Sequence, residues 1–331
     1  MAVTINDVAK RAGVSASTVS RTINNHYSIS EETKQKVRQA MDELGYSTHK
    51  TSEKPKTIGV VFPKSQHDVY ENPFYLEAVR GIGFICNQRN YIMNIITGAN
   101  DYELRTSIRN SDADGYIFLY SDLDDKIIDY IYEHNYSFVL IGKPTRMVNE
   151  TLCVDTDNIQ AANEAVNYLH TLGHKKIAYI GTDDKKVFSY DRKTGYVQAM
   201  GRNGLEIYDD YIQTISSTIA YDTTPILNLL QSDHRPTAFV VCDDIYAVIL
   251  ERLIHQVGLK VPDDVSLVSF NNSIFSRLME PPLTSFDINS MQLGIEAANQ
   301  LIKHIENPNL YATKIIVPYF LVMRKSCKYI E

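Results

Sequence analysis

Several polar and aromatic side chains of this 331-residue chain follow short β-branched runs, where α/β proteins bind their ligands. They are Tyr70, Asn72, Phe74, Arg192, Asp243 and Asn271. Aromatic rings can cover the apolar face of a sugar, while carboxylate, amide and guanidinium groups form paired hydrogen bonds with its hydroxyls. Core packing for Phe74 and a surface ion pair for Arg192 are the ordinary structural alternatives. Taken together, the pattern favours a carbohydrate-binding cleft.

The sequence contains no comparable pattern that would indicate catalysis or metal binding. The sequence contains no Walker loop, no Gly-x-Ser-x-Gly elbow and no His-Glu-x-x-His motif. His170 and His174 are four residues apart, but Gly173 lies between them at a predicted helix end, so we do not expect a shared metal. We expect no catalytic residue, no metal site and no cofactor.

The segments that must position the cleft alternate between short strands and amphipathic helices. The strands are predicted at 57–62, 91–97, 115–120, 137–141, 176–181, 211–214, 237–241 and 266–270. Helices are predicted among them at 74–88, 159–172, 191–203 and 246–257. Such alternation is typical of parallel sheets with right-handed crossovers. We therefore predict an α/β body with two doubly wound lobes and a ligand beyond the carboxyl ends of the strands.

The N-terminal residues predict three short helices instead. Thr4 and Asp7 have the spacing of a capping box, and Gly13 offers a left-handed helix end. Ser15 and Ser30 are the expected caps of the second and third helices. Two helices joined by a Gly-containing turn form a helix-turn-helix motif. A plain helical hairpin is the alternative, but the second helix has a small, hydrogen-bonding outer face suited to the DNA major groove.

These helices resemble the DNA-binding head of the LacI/GalR repressor family. The matching segments are Thr4–Ser15, Ser17–Arg21, Asn24 and Ile29–Thr33, followed by 45–46, 57–60, 172–181, 192–196, 261–266, 281–284 and 324–327. The resemblance covers essentially the whole chain. It implies a type I periplasmic-binding-protein fold for the body, with chain crossovers between the lobes near 158–161 and 286–290. It also implies a transcriptional repressor that is not an enzyme.

The resemblance implies roles for individual residues. Base contacts fall on Ala16, Ser17 and Arg21. Phosphate contacts fall on Thr4, Ser15, Thr18, Asn24, Ser30, Thr33 and Tyr46, and hydroxyl groups at helix N-termini suit that role. Effector contacts fall on Arg192, Asp243, Asn271 and Asp157. Segments such as 70–74, 154–158 and 191–196 are most similar to the maltose repressors of low-GC Gram-positive bacteria.

The expected effector is accordingly a sugar, maltose or a related glucoside, that releases the protein from operator DNA. Relatives on nearly the same scaffold bind galactosides, trehalose phosphate, purines or a phosphorylated carrier protein. A corepressor-type regulator that docks such a carrier protein is thus an alternative, and a sugar-processing enzyme is a weaker one. No heptad pattern follows Cys327, so we expect a homodimer.

The linker departs from the family pattern. Segment 47–56 has no leucine and no apolar face, and it contains Pro55. The minor-groove leucine of relatives cannot be transferred to it, and a flexible tether is predicted. The expected domains are the head at 1–46, this linker and the body at 57–331. Lobe one is expected at about 57–158 and 290–320, and lobe two at about 161–286 plus the C-terminal end.

Charge and composition agree with this organisation. Residues 1–57 carry nine basic and six acidic side chains, whereas the remainder carries 24 basic and 34 acidic ones. A mildly basic head on an acidic body is expected of a nucleic-acid module, although an ordinary solvated surface would look similar. The apolar runs are too short to span a membrane, no secretory signal is legible and no Cys-x-x-Cys pair occurs. We therefore expect a cytoplasmic protein with no membrane partner.

Overall fold

The structure, a computed structural model, describes residues 3–23, 29–46, 56–64, 70–216 and 221–331. The chain divides into two compact units, Met1–Pro55 and Lys56–Glu331, which we call the head and the body. Most of the predicted linker and Asn24 lie outside the described residues.

Where the structure describes the head, it consists of three helices, α1 (Ile5–Ala12), α2 (Ala16–Ile23) and α3 (Glu31–Leu44). Thr4 and Asp7 form the predicted capping box at the start of α1, with the Thr4 amide donating to Asp7 Oδ2 over 2.8 Å. Gly13 ends α1 at a φ of 69°, in the left-handed region that favours glycine. Val8, Val19 and Val37, one from each helix, are fully buried and form the centre of a small core.

The described residues of the body form two sheets of six strands each. The first sheet consists of β1 (Thr57–Val61), β2 (Ile92–Ile96), β3 (Gly115–Phe118), β4 (Phe138–Ile141), β5 (Leu152–Asp155) and β11 (Lys314–Ile316). The second consists of β6 (Ile177–Gly181), β7 (Ile212–Thr214), β8 (Ala238–Val241), β9 (Ser266–Phe270), β10 (Thr284–Asp287) and β12 (Phe320–Val322). Their orders are β11-β5-β4-β3-β1-β2 and β12-β10-β9-β8-β6-β7. All pairs are parallel except β10–β12.

Helices cover both sheets. The helices α4 (Pro73–Arg89), α5 (Asp101–Asn110), α6 (Lys126–Glu133) and α12 (Ser290–Glu306) accompany the first sheet, and we call this set the first lobe. The helices α7 (Asn158–Thr171), α8 (Val187–Arg202), α9 (Thr224–Gln231), α10 (Asp244–Gln256) and α11 (Ile274–Leu278) accompany the second sheet and form the second lobe. The chain passes between the lobes after β5, after β10 and after β11. Doubly wound parallel sheets confirm the predicted fold class.

Six of the eight predicted strands are buried along their whole length. These six strands, β1, β3, β4, β6, β8 and β9, lie inside their sheets and have helices packed on both faces. They read as continuous apolar runs and were all predicted. The prediction missed the interior strands β5 and β10, each of which ends in a half-buried aspartate, and the edge strands β11 and β12. Within the described ranges, no helix combines the length and apolarity that crossing a membrane requires.

The first lobe depends on an unusually close approach of α4 and α12. A Cβ atom on Gly81 would lie 2.1 Å from the backbone oxygen of Met291, and one on Gly294 would lie 2.0 Å from that of Ala78. Backbone atoms cannot yield as side chains do, so only glycine fits at both positions.

We expect Gly81→Ala to lower the free energy of unfolding by about 1–3 kcal/mol, since the added methyl group overpacks this contact. Gly83→Ala is the matched control on the same helix, because its nearest neighbour would be Met93 Cε at 3.7 Å. The control should be neutral or stabilising by up to ~1 kcal/mol through helix propensity. Urea unfolding of the two variants measures the difference, and equal effects would contradict the proposed close packing.

Candidate functional site

The head exposes a short polar face on α2. Ser17 and Arg21, one helical turn apart, are exposed, while Val19 and Thr22 are buried on the opposite side. Ala16 is half-buried and packs against the core of the head. Of the three side chains expected to contact bases, the structure thus presents Ser17 and Arg21 outward and turns Ala16 partly inward.

Hydroxyl pairs lie at the starts of α2 and α3. Ser15 Oγ accepts a hydrogen bond from the Thr18 amide at 3.1 Å and lies 2.8 Å from Thr18 Oγ1. Ser30 Oγ lies 2.9 Å from Thr33 Oγ1 in the same arrangement. These residues, with Thr4 at α1, cap the helices, and helix N-termini attract phosphate. Tyr46 lies just beyond α3 and packs partly buried on the core.

A cleft between the two lobes of the body is lined by residues that follow strands of both sheets. It encloses about 700 Å³ of space between protein atoms, part of it open to solvent. Among its lining residues are the predicted Asn72, Phe74, Arg192, Asp243 and Asn271. The strand-end rule therefore brings five residues from distant parts of the sequence to one place.

Arg192 forms the floor of the cleft and is only 2% exposed. Its Nε donates to Asn158 Oδ1 at 2.8 Å and its Nη1 donates to the backbone oxygen of Cys242. The guanidinium lies 4.4 Å from the ring centre of Phe270 and 5.2 Å from that of Phe188, within the range of cation–π attraction. Nη2 has no hydrogen-bond partner among the described residues, which leaves it for a ligand.

Polar contacts join the lobes across the cleft. Asn72 caps α4 and Asp243 caps α10, and Asn72 Nδ2 donates to Asp243 Oδ2 at 2.7 Å. Lys143 Nζ lies 3.5 Å from Asp191 Oδ2, and Asp122 and Lys186 form an isolated antiparallel bridge. The Asn72–Asp243 hydrogen bond thus connects the start of α4 in the first lobe to the start of α10 in the second lobe.

Burial raises the pKa of the cleft carboxyl groups. The pKa of Asp155 is raised to about 7, chiefly by burial and further by the neighbouring Asp191. The pKa of Asp243 is raised to about 6 by burial and by the adjacent Asp244. Burial also raises the pKa of Asp122 to about 6, against the attraction of Lys186. No cluster arranged for a metal ion occurs in the described part of the chain.

Two of the predicted effector residues do not line the cleft. Tyr70 is 54% exposed and stacks on Phe62 at a centroid distance of 5.8 Å. Asp157 is exposed and uses its carboxylate to cap α7, accepting from the Gln160 amide at 2.9 Å. Its neighbours Asp155 and Asn158 line the cleft instead.

Sequence reasoning missed several lining residues. Asp155 ends β5, the short strand that was not predicted, and recognition of that strand would have marked Asp155 by the rule that selected Asp243. Lys143, Lys186 and Phe188 lie in loops or at a helix start, and no local signal distinguishes them from solvated residues.

Comparison with known proteins identifies both units. Residues 4–49 match the model for bacterial regulatory proteins of the lacI family, and residues 166–327 match a periplasmic binding protein-like domain. The transcriptional regulator MalR of Streptococcus pneumoniae is 33% identical over 327 residues, which cover 93% of this chain and 95% of the relative.

Two solved structures are also similar. The transcriptional regulator CelR in complex with cellobiose has a TM-score of 0.77 at 27% identity, covering 98% of this chain and 99% of that one. A Staphylococcus aureus protein named "probable maltose operon transcriptional repressor malR" has a TM-score of 0.75 at 25% identity, covering 83% of this chain and 99% of that one.

We expect Arg192→Ala to weaken binding of maltose, the sugar expected from the sequence, by roughly tenfold or more. Hydrogen bonds from a charged donor contribute about 1.5–3 kcal/mol. Operator affinity should be retained if the variant folds. The control is Arg202→Ala on the same helix, whose exposed side chain donates to Asn163 Oδ1 at 3.3 Å. Calorimetry with maltose and operator-DNA anisotropy measure the two affinities, and unaltered sugar affinity in Arg192→Ala would place the effector elsewhere.

Proposed function

Because the chain belongs to the lacI family of bacterial regulatory proteins, which are DNA-binding transcriptional regulators and not enzymes, we propose that it represses sugar-utilisation genes. In this proposal a neutral sugar, maltose or a related glucoside, binds in the cleft and releases the protein from its operator. The observation that carries the proposal is the cleft itself, where the fully buried Arg192 lies among aromatic, amide and carboxyl groups. A protein of this function acts in the bacterial cytoplasm.

Charge balance in the cleft supports an uncharged ligand. Three basic and three acidic side chains line it, Lys143, Lys186 and Arg192 beside Asp122, Asp155 and Asp243. Lys143 is already paired with Asp191, and Lys186 lies beside Asp122. A phosphate ester would bring negative charge close to three acidic side chains, while two of the three cations already lie beside acidic groups. A polyhydroxylated sugar needs only the donors and acceptors that these groups supply.

Relatives support a glucoside over other sugars. The CelR structure holds cellobiose, a disaccharide of glucose, and the Staphylococcus aureus protein is named for a maltose operon. Phe74 and Tyr75 at the start of α4, at a ring-centre distance of 5.2 Å, provide an aromatic wall for a pyranose ring.

The mechanism that we propose is a shift between two conformations of the body. Two heads of a homodimer bind the half-sites of a pseudo-palindromic operator, and sugar in the cleft favours a lobe arrangement that weakens this binding. Linkage requires operator DNA to weaken sugar binding by the same factor by which sugar weakens DNA binding. Contacts between the lobes such as Asn72–Asp243 are the groups whose geometry the sugar would bias.

The proposal is tested by adding maltose to a preformed complex of the full-length protein with operator DNA. Release at sugar concentrations that saturate the cleft in calorimetry is expected, with glucose 6-phosphate and lactose as non-releasing controls. The corepressor alternative would be favoured if a phosphorylated carrier protein tightened operator binding. It would also be favoured if the protein left the operator only when that carrier protein was removed.

Arg21→Ala should lower the preference for operator over random DNA by roughly 5- to 150-fold, because a bidentate arginine–guanine contact contributes about 1–3 kcal/mol of discrimination. Arg38→Ala is the matched control, since it removes one positive charge from an exposed position on α3. Anisotropy titrations with both DNAs give the specificity ratio. An unchanged ratio for Arg21→Ala would assign base reading to another element, while maltose affinity should be the same in both variants.

A further inference from the structure

The turn that carries Asn271 into the cleft has an uncommon backbone conformation. Asn271 and Asn272 have φ values of 95° and 48°, in the left-handed region that residues other than glycine rarely adopt. The Asn271 amide still donates to the backbone oxygen of Phe286 at 2.8 Å, so the β9–β10 ladder extends up to the turn. Such a conformation persists only where the surroundings hold it, and it is a recurrent feature of functional sites.

Asn272 is held at both ends of its side chain. Its Nδ2 donates to Asp287 Oδ2 at 2.8 Å, and its Oδ1 accepts from the Arg324 guanidinium. Its backbone amide donates to Ser285 Oγ at 3.0 Å. These hydrogen bonds fix Asn272, and the preceding Asn271 lines the cleft.

Asp244 lies beneath this turn and is fully buried. Its Oδ2 accepts from the Ser273 amide at 2.7 Å, directly after the turn. Its Oδ1 accepts from Ser285 Oγ at 2.7 Å on β10 and from Ser269 Oγ on β9. The Asp244 carboxylate thus connects β9, β10 and Ser273, the residue that follows the turn. Through Ser285 it is also linked to Asn272, whose amide donates to the same hydroxyl group.

We propose that Asp244 is a positioning residue for the cleft, which sets the Asn271 side chain for the ligand without touching the ligand itself. The identity of that ligand rests on the proposed function. Asp244 is absent from the cleft lining, whereas its neighbour Asp243 and the turn residue Asn271 are part of it. A buried carboxylate is costly unless it is fully hydrogen-bonded, so the three donors around Asp244 are the reason that it can be retained there.

The proposal predicts the consequence of Asp244→Asn. An amide has one acceptor oxygen, so at least one of the three donors loses its partner and the turn is released. The ligand-free variant should show faster hydrogen exchange at the amides of 271–273. Maltose affinity should fall at least fivefold, while operator affinity stays the same.

A merely structural role is separated by two further variants. His174→Gln is the matched control, because His174 is 1% exposed and its ring nitrogens lie 2.9 and 3.0 Å from Thr237 Oγ1 and Ser266 Oγ, at the amino end of the same sheet. It should lose stability without losing sugar affinity. In an Asn271→Ala background, Asp244→Asn should lower maltose affinity no further, because both changes act through one side chain.

The possible results distinguish this inference from the proposed function. Unchanged exchange at 271–273 in Asp244→Asn, or an equal loss of affinity in His174→Gln, would overturn the positioning role. Additive losses in the double variant would also overturn it. If the wild-type protein fails to bind maltose but Asp244→Asn still speeds hydrogen exchange at the amides of 271–273, the positioning role stands and the proposed sugar is wrong.

Discussion

The cleft depends on the burial of one positive charge, that of Arg192. Removing a guanidinium from water is costly unless most of its donors are paired and its charge is compensated. Burial lowers the pKa of Arg192, while the nearby Asp243 and Asp155 act in the opposite direction. Asn158 at the first crossing between the lobes and Cys242 at the end of β8 supply the hydrogen bonds, and Phe270 at the end of β9 supplies a ring. Because Asn158, Cys242 and Phe270 all contact the Arg192 side chain, the positions of the strand ends around the cleft are closely constrained.

The same constraint gives the cleft its chemistry. Carboxyl groups with raised pKa values lie beside amides and paired lysines, so the surface offers both donors and acceptors without a large net charge. Polar contacts such as Asn72–Asp243 hold the lobes together, and hydroxyl groups of a sugar are chemically able to replace or reinforce them. A ligand that exchanges such contacts can shift a conformational equilibrium, since it needs only a differential affinity for the two states.

The head is stabilised in a different way from the body. Its core consists of a few aliphatic side chains, so helix caps contribute a large share of its stability. Ser15 and Ser30 cap helices and also lie, with Thr18 and Thr33, at the N-termini where phosphate groups are attracted. The predicted phosphate contacts therefore fall on the hydroxyl groups that cap the helices, and the predicted base contacts of Ser17 and Arg21 fall on the exposed face of α2.

The sequence by itself determined the head, the strand-helix alternation and six fully buried strands, because caps, turns and apolar runs are local signals. It also selected Arg192, Asp243 and Asn271 as residues beyond strand ends. The sequence did not identify the correct residues near Asp157, which was predicted to contact the effector. Asp157 caps a helix, whereas Asp155 and Asn158 line the cleft. Which of four adjacent polar residues faces a ligand depends on how the chain turns between the lobes. The tertiary structure likewise decided the role of Asp244, whose partners on β9, β10 and the turn are 25 to 41 residues away in sequence. Such contacts are long-range, and no sequence window contains both partners.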